Sequence, residues 1–375
     1  MDLTGFDNIE DSLPLVERRD FLKFCATITA TLALPDTATA EIAQGITNPE
    51  RLPVIWLSGA ECTGCTMALF RTTHPTIEGM IFDLISLDYH AALQNPSGYA
   101  AKGHMYDIVE KYAGKFLLVV EGAVPLKDGG IYCRSGGQNF VDTLKKVGSK
   151  AAGVIAVGSC AAWGGMPASN MNPTGCVGVK DVLKDTRVIE IPGCPPNPYN
   201  LLSTIIHYLT FNKFPAVDHK NRPLFICDRL IHDHCERRPH FDNGRFVREF
   251  GDEAHRQGHC LYHIGCKGPV TYGNCPTMQF GDAGAGCWPV AIGHPCFGCN
   301  EEGVGFEVPQ FEVCDIIHAT SPAYHPPVVP NHKKSIGAGE AALMAGVAGA
   351  ALGAGALFVS SLKSEPIEDN EDEKA

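Results

Sequence analysis

Thiols set the terms on which this chain can fold. Between Ile231 and Cys299 it carries His232-x-x-Cys235, then Cys260 and Cys266, Cys275, and Cys296-x-x-Cys299. A sparser set lies upstream as Cys62-x-x-Cys65, Cys160 and Cys194. Gly and Pro flank many of them, as in Gly193-Cys194-Pro195-Pro196, Asn274-Cys275-Pro276 and His294-Pro295-Cys296. Such backbones are open and irregular, as loops that hold iron–sulfur clusters are. Ten thiols and one imidazole at these spacings point to several clusters in one polypeptide, and so to electron transfer. Zinc sites and disulfides are the alternatives, the latter being the default for an exported protein.

The chain has 375 residues, enough for two domains with cores of their own. Hydrophobic residues make up 45% and charged ones 19%, which fits a globular protein and not a disordered one. A net charge of -12 argues against nucleic-acid binding, which needs basic patches to neutralise phosphates. Part of that charge sits in the acidic stretch Glu365 to Lys374.

Both ends read as addresses. Residues 17–23 are Glu-Arg-Arg-Asp-Phe-Leu-Lys, similar to the consensus of twin-arginine export signals. An apolar stretch, Phe24 to Leu34, follows, and Ala38-Thr39-Ala40 offers an A-x-A cleavage site. Residues 1–40 are therefore expected to be a cleaved signal read by the twin-arginine translocase, with the mature chain starting near Glu41. That route exports folded proteins, which suits cofactors inserted in the cytoplasm. An amphipathic N-terminal helix is the alternative. At the other end, Ala341 to Ser361 carries no charge. About 20 residues at 1.5 Å rise span the ~30 Å hydrocarbon core. Gly349-x-x-x-Gly353 lets a second helix approach closely. The expectation is a linker at 321–340, one transmembrane helix at 341–361 and an acidic cytoplasmic tail at 362–375. The body would then lie on the periplasmic side of the inner membrane. A soluble Ala-rich helix is the alternative.

Residues 41–212 read as an α/β doubly wound, flavodoxin-like domain. Five apolar runs alternate with helical patterns: Pro53–Leu57, Phe82–Leu87, Phe116–Val120, Gly153–Val157 and Arg187–Ile191. Near-continuous runs of this length fit strands buried on both faces of a parallel sheet. Cys62 and Cys65 follow the first run, Cys160 the fourth and Cys194 the fifth. Loops at the carboxyl ends of such strands converge on one crevice, where open α/β sheets bind ligands. Four thiolates from three loops can wrap one cubane; four-thiolate zinc is the alternative.

Residues 213–320 read as an irregular cluster-binding domain, poor in periodic elements and stapled by its metal groups. His232 and Cys235, at i and i+3, can face one side of a helical turn. Cys260 and Cys266 complete a four-ligand set, with His234 as a less well-spaced rival to His232. Cys275, Cys296 and Cys299 make three, which suits a [3Fe-4S] cluster. Cys287 is a candidate fourth, on a loop stiffened by Pro289.

These residues carry a resemblance. The strings Glu61-Cys-Thr-Gly-Cys65, Gly158-Ser-Cys-Ala-Ala-Trp-Gly164, Asn172-Pro-Thr-Gly175 and Ile191-Pro-Gly-Cys-Pro-Pro-Asn197 resemble the small subunit of [NiFe] hydrogenases. So do Ile231-His-Asp-His-Cys-Glu-Arg237, Leu261-Tyr-His-Ile-Gly-Cys-Lys-Gly-Pro269 and Trp288-Pro-Val-Ala-Ile-Gly-His-Pro-Cys-Phe-Gly-Cys299. The likeness extends from the export signal to the anchor and is strongest to the membrane-anchored hydrogenase-2 type.

The resemblance implies a proximal [4Fe-4S] cluster on Cys62, Cys65, Cys160 and Cys194. It implies a distal [4Fe-4S] on His232, Cys235, Cys260 and Cys266, and a medial [3Fe-4S] on Cys275, Cys296 and Cys299. Pro289 stands where relatives with a four-iron medial cluster place a fourth Cys. Gly64 and Gly165 stand where oxygen-tolerant members carry two extra cysteines, which implies an ordinary cubane and an oxygen-sensitive enzyme. The NiFe centre belongs to a separate large subunit, so no catalytic residue is expected here beyond a proton or interface role for Glu61. Further implied partners are a membrane cytochrome b or integral quinone-reactive subunit and a ferredoxin-like subunit; pairing of heterodimers is left open. His90 and His294 are candidates for hydrogen bonds near clusters. Cys25 lies in the signal, and Cys133, Cys176, Cys227 and Cys314 read as small core residues. Rival readings are the cluster subunit of respiratory NADH dehydrogenases, an H2-sensing regulatory hydrogenase and a zinc-binding structural module.

Overall fold

The computed structural model describes residues 18–47, 51–73, 75, 76, 79, 81, 84–280 and 287–317. The expected linker, membrane helix and acidic tail lie outside the described residues. Among those described, no helix is long and apolar enough to cross a membrane.

Five parallel strands form the centre of the first region: β1 (Leu52–Ser58), β2 (Ile85–His90), β3 (Leu117–Glu121), β4 (Gly153–Val157) and β5 (Val188–Ile191). Their spatial order is β2-β1-β3-β4-β5. This is the flavodoxin-like order, whose switch point lies between β1 and β3. The second strand runs later than its apolar pattern implies, through Asp88 to His90. It is an edge strand with half-buried positions, so it accepts polar side chains that a central strand would not.

The period of two divides the inner strands between two cores. Val54, Trp56, Leu117, Val119, Ile155 and Val157 face one cluster of buried side chains. Ile55, Leu57, Leu118, Val120, Val154 and Ala156 face the other. Helices α4 (Gly98–Lys111) and α5 (Phe140–Gly148) supply Met105, Ile108, Leu144 and Val147 to the second cluster. Helix α7 (Pro198–Phe211) supplies Leu201, Leu202, Ile205 and Ile206 to the first. Two N-terminal helices, α1 (Arg18–Thr31) and α2 (Ala38–Ile46), share that face. Phe24, Cys25, Ile28, Ile42 and Ile46 are buried there, and the Thr29 and Thr39 hydroxyls meet at 3.0 Å. Ala38-Thr39-Ala40 therefore forms the first turn of a packed helix.

The second region has short helices and isolated bridges such as Phe246 with Cys260 and Leu230 with Tyr272. Its small core joins Ile231, Val247, Leu261, Ile264, Trp288 and Val290 to Cys275 and Cys296. It is stitched to the first region by side chains. Asn197 donates to the carbonyls of Met278 and Gln279, and Asn200 pairs with Asn274.

The central strands carry the fold's apolar burial. Ile155, fully buried in β4, should cost about 2–5 kcal/mol when replaced by Ala, through lost transfer energy plus a cavity. Denaturant unfolding of Ile155→Ala against the parent measures this; a loss under about 0.5 kcal/mol would contradict the placement of β4 at the centre.

Candidate metal centres

The carboxyl ends of β1, β4 and β5 deliver the upstream thiols to one place. Cys62 and Cys65 lie at the start of α3 (Gly64–Leu69), Cys160 in α6 (Gly158–Trp163), and Cys194 just past β5. Cys65 is influenced by the charges of Cys62, Cys160 and Cys194. Burial, then Glu121 and these neighbours, raise its proton affinity; burial first, then Cys194, pushes Cys160 up to about 12. The packing is tight: a Cβ on Gly158 would stand 2.5 Å from the Cys65 Sγ, and one on Gly165, at φ +45°, 2.7 Å from the Cys160 nitrogen. Cys62 is exposed, and Glu61 beside it has its carboxyl raised by burial and by Glu121.

A carboxylate missed by sequence reading organises this loop. Glu121 ends β3, immediately after the apolar run, and is 1% exposed. It accepts hydrogen bonds from the Cys65 nitrogen at 2.9 Å, the Thr66 nitrogen, the Thr66 hydroxyl and the Trp56 indole at 3.2 Å. A buried carboxylate with this many donors is satisfied, so it can fix a loop without a cation. His90 extends the network and stacks on Trp56. Its Nδ1 accepts from the Ala92 nitrogen, so Nε2 carries the proton and donates to the Thr66 hydroxyl at 3.2 Å. His90 is thus a neutral donor to Thr66, one residue beyond Cys65.

The downstream set divides between two cavities. His232, Cys235, Cys260 and Cys266 line one. The short helix α8 (Ile231–His234) ends before Cys235, which is extended, so the pair meets at a helix end and not along one helical face. His232 Nε2 is buried with no hydrogen-bond partner, an orphaned nitrogen facing a costly desolvation unless a metal takes up the ring. The rival His234 meets Arg229 instead, at 3.4 Å. Cys275, Cys296 and Cys299 line the second cavity together with Pro289 and Trp288. Asn300, also unforeseen, donates from Nδ2 to the Cys275 Sγ at 3.7 Å, and its Oδ1 lies 3.6 Å from the Cys299 Sγ. Cys287 is exposed and bridges to Phe280, outside that lining. His294 bonds to the Pro295 carbonyl and Gln310, not to a thiol.

The three sets adjoin one another in space. Ser159 accepts from the Gly193 nitrogen and donates to the Cys299 carbonyl at 2.5 Å. The Lys267 N–H, next to Cys266, donates to the Cys296 carbonyl at 2.6 Å. Among the described residues no three His, Cys, Asp or Glu side chains close around a single ion. Thiols and an imidazole spread over cavities fit multinuclear clusters better than one zinc ion.

Comparison with known proteins matches two family models. Residues 62–208 match the NADH ubiquinone oxidoreductase 20 Kd subunit, and residues 228–312 match the C-terminal domain of the NiFe/NiFeSe hydrogenase small subunit. Over 359 residues, 96% of each chain, the sequence is 50% identical to the hydrogenase-2 small chain of Escherichia coli K12. The chain belongs to the [NiFe] hydrogenase small-subunit family. The second model, over 228–312, separates this small subunit from the respiratory dehydrogenase subunit that shares its first domain. The quinone-reactive Ni/Fe-hydrogenase small chain of Wolinella succinogenes is 41% identical over 82% of this chain and 87% of that one. The solved NiFeSe hydrogenase of Desulfomicrobium baculatum superposes with a TM-score of 0.63 at 33% identity, covering 67% of this chain and 95% of that one. As a small subunit of a heterodimeric NiFe hydrogenase, the chain works with a large subunit and serves electron transfer, and its family carries iron–sulfur clusters.

Burial lowers the proton affinity of His90 from 6.5 to about 4. Unfolded histidine takes up its proton near 6.5, so folding excludes a proton between those values. The stability contributed by neutral His90 is complete above 6.5 and is lost as pH falls through 4, by up to about 3 kcal/mol. His90→Gln should flatten the acid slope of unfolding free energy between pH 7 and 4; an unchanged slope would contradict the burial of a neutral ring.

Proposed function

We propose that this chain is the electron relay of an H2-oxidising enzyme held at the periplasmic face of the inner membrane. Cys62, Cys65, Cys160 and Cys194 hold a proximal [4Fe-4S] cluster, Cys275, Cys296 and Cys299 a medial [3Fe-4S], and His232, Cys235, Cys260 and Cys266 a distal [4Fe-4S]. When bound, these clusters accept electrons one at a time from the NiFe centre of the large subunit and carry them outward. The observation that supports this reading most is the adjacency of successive ligand loops: Ser159, beside Cys160, bonds the Cys299 carbonyl, and Lys267, beside Cys266, bonds the Cys296 carbonyl.

The chain's own residues give each site its character. Glu121 orients the Cys65 loop, while Gly64 and Gly165 leave the proximal set at four thiols, as in an oxygen-sensitive enzyme. Pro289 occupies the medial cavity wall without offering a ligand, and Asn300 donates to one of its three sulfurs, that of Cys275. Neutral His232 in place of a fourth thiolate makes the distal set less negative, which raises its potential. Glu61, exposed Met67, Phe70 and Met166 flank the proximal ligands in sequence and form the contact with the large subunit, Glu61 holding or passing a proton there. Residues 1–40 direct twin-arginine export and 341–361 anchor the body in the membrane. The Wolinella relative is named as quinone-reactive, and we assign the same terminus here, through a membrane cytochrome b, an integral quinone-reactive subunit or a ferredoxin-like subunit.

Metal and sulfide analysis of the purified heterodimer should return about eleven irons in this chain's clusters; zinc without sulfide would sink the reading. Pro289→Cys should replace the medial three-iron EPR signal with that of a four-iron cluster at lower potential. Persistence of the three-iron signal in that variant counts against the medial assignment.

A further inference from the structure

Lys267 is fully buried, with 0% exposure, between two of the ligand sets. It follows Cys266 in sequence, and its backbone N–H donates to the Cys296 carbonyl at 2.6 Å. Its own carbonyl accepts from the Thr271 hydroxyl at 2.7 Å. The ammonium donates to the backbone carbonyls of Gly265, at 3.3 Å, and Glu312. Two other buried cations, Arg222 and Arg238, each pair with two carboxylates. No carboxylate pairs with Lys267 among the described residues. An ammonium held only by neutral carbonyls is strongly unfavourable in a protein interior unless negative charge accompanies it. The groups around it that become negative are thiols: its charge reaches Cys266, in the distal set, and Cys314.

We propose that Lys267 is the buried counter-charge of the distal ligand set, placed beside Cys266 so that it raises the potential of the distal cluster. The proposal rests on the cluster assignment above. Reduction adds an electron to a site whose thiolates and sulfides are already negative, and a fixed cation stabilises that reduced form more than the oxidised one. Methionine keeps an unbranched stem without the charge, and arginine keeps the charge, so the two variants separate charge from shape.

EPR-monitored redox titration of the purified heterodimer tests this with Lys267→Met and Lys267→Arg, alongside iron and sulfide content. Lys267→Met with full iron should show the distal midpoint potential lowered by about 59 mV or more, a tenfold change for a one-electron couple, with the medial potential moved less. Lys267→Arg should keep them near the parent values. Full iron and an unmoved distal potential in Lys267→Met overturn the proposal and leave a packing role. Loss of clusters from Lys267→Met but not from Lys267→Arg supports it, because charge and not shape is then what assembly needs. Loss from both overturns it. Absence of iron in the parent would instead overturn the cluster assignment itself.

Discussion

A buried hydroxyl joins the ligand loops of the two halves of this molecule, beside the Asn197 and Asn200 contacts. Ser159 takes the Gly193 N–H and gives its own proton to the Cys299 carbonyl, so a single side chain ties the loops after β4 and β5 to the downstream cysteine string. The parallel sheet fixes where those two loops emerge, and Glu121 fixes the third by gathering the donors of Cys65 and Thr66. Neither device is a metal ligand. Both determine whether thiols on remote stretches of chain arrive at neighbouring points, which is the geometric demand that electron transfer over several sites makes on a fold.

The thiols bear the cost of that arrangement. Burial raises the proton affinity of Cys65, Cys160, Cys235, Cys260 and Cys275, and the nearness of like groups adds to it in several cases. Such side chains are poor thiolates on their own and become ligands by exchanging a proton for iron. The second region has little regular structure and a small core in which cysteines take part. Its order is therefore linked to what fills its cavities more closely than that of the sheet, whose strands bury apolar side chains on both faces.

Much of this was legible in the sequence because it depends on local pattern. Four of the five apolar runs lie within a residue or so of a strand, and the thiols after them fall at strand ends as continuity of the chain requires. β2 was harder to place, since an edge strand tolerates Asp88 and His90 and so breaks the apolar signal. His232 and Cys235 line one cavity, but not along one helical face as their i, i+3 spacing implied, because the helix ends at His234. Glu121, Asn300 and Lys267 carried almost no signal. Each is a polar residue beside an apolar run or a cysteine, and only the folded chain shows that it is buried and what it bonds. The division of the downstream cysteines into cavities was readable from spacing together with resemblance, and Pro289 lies in the wall where that resemblance placed it.

Gly64 and Gly165 look alike as sequence positions but are not equivalent in space. Near Gly64 the closest atom to an added Cβ is the Cys62 Sγ at 3.0 Å, the movable end of a side chain. At Gly165 the neighbours are backbone atoms of Ser159 and Cys160, all within 3 Å, and φ is in the left-handed region. A side chain is thus nearly admissible at the first position and inadmissible at the second without rebuilding the turn after α6. In this chain a side chain at Gly165 demands a shift of the turn after α6, whereas one at Gly64 demands only that the Cys62 side chain give way.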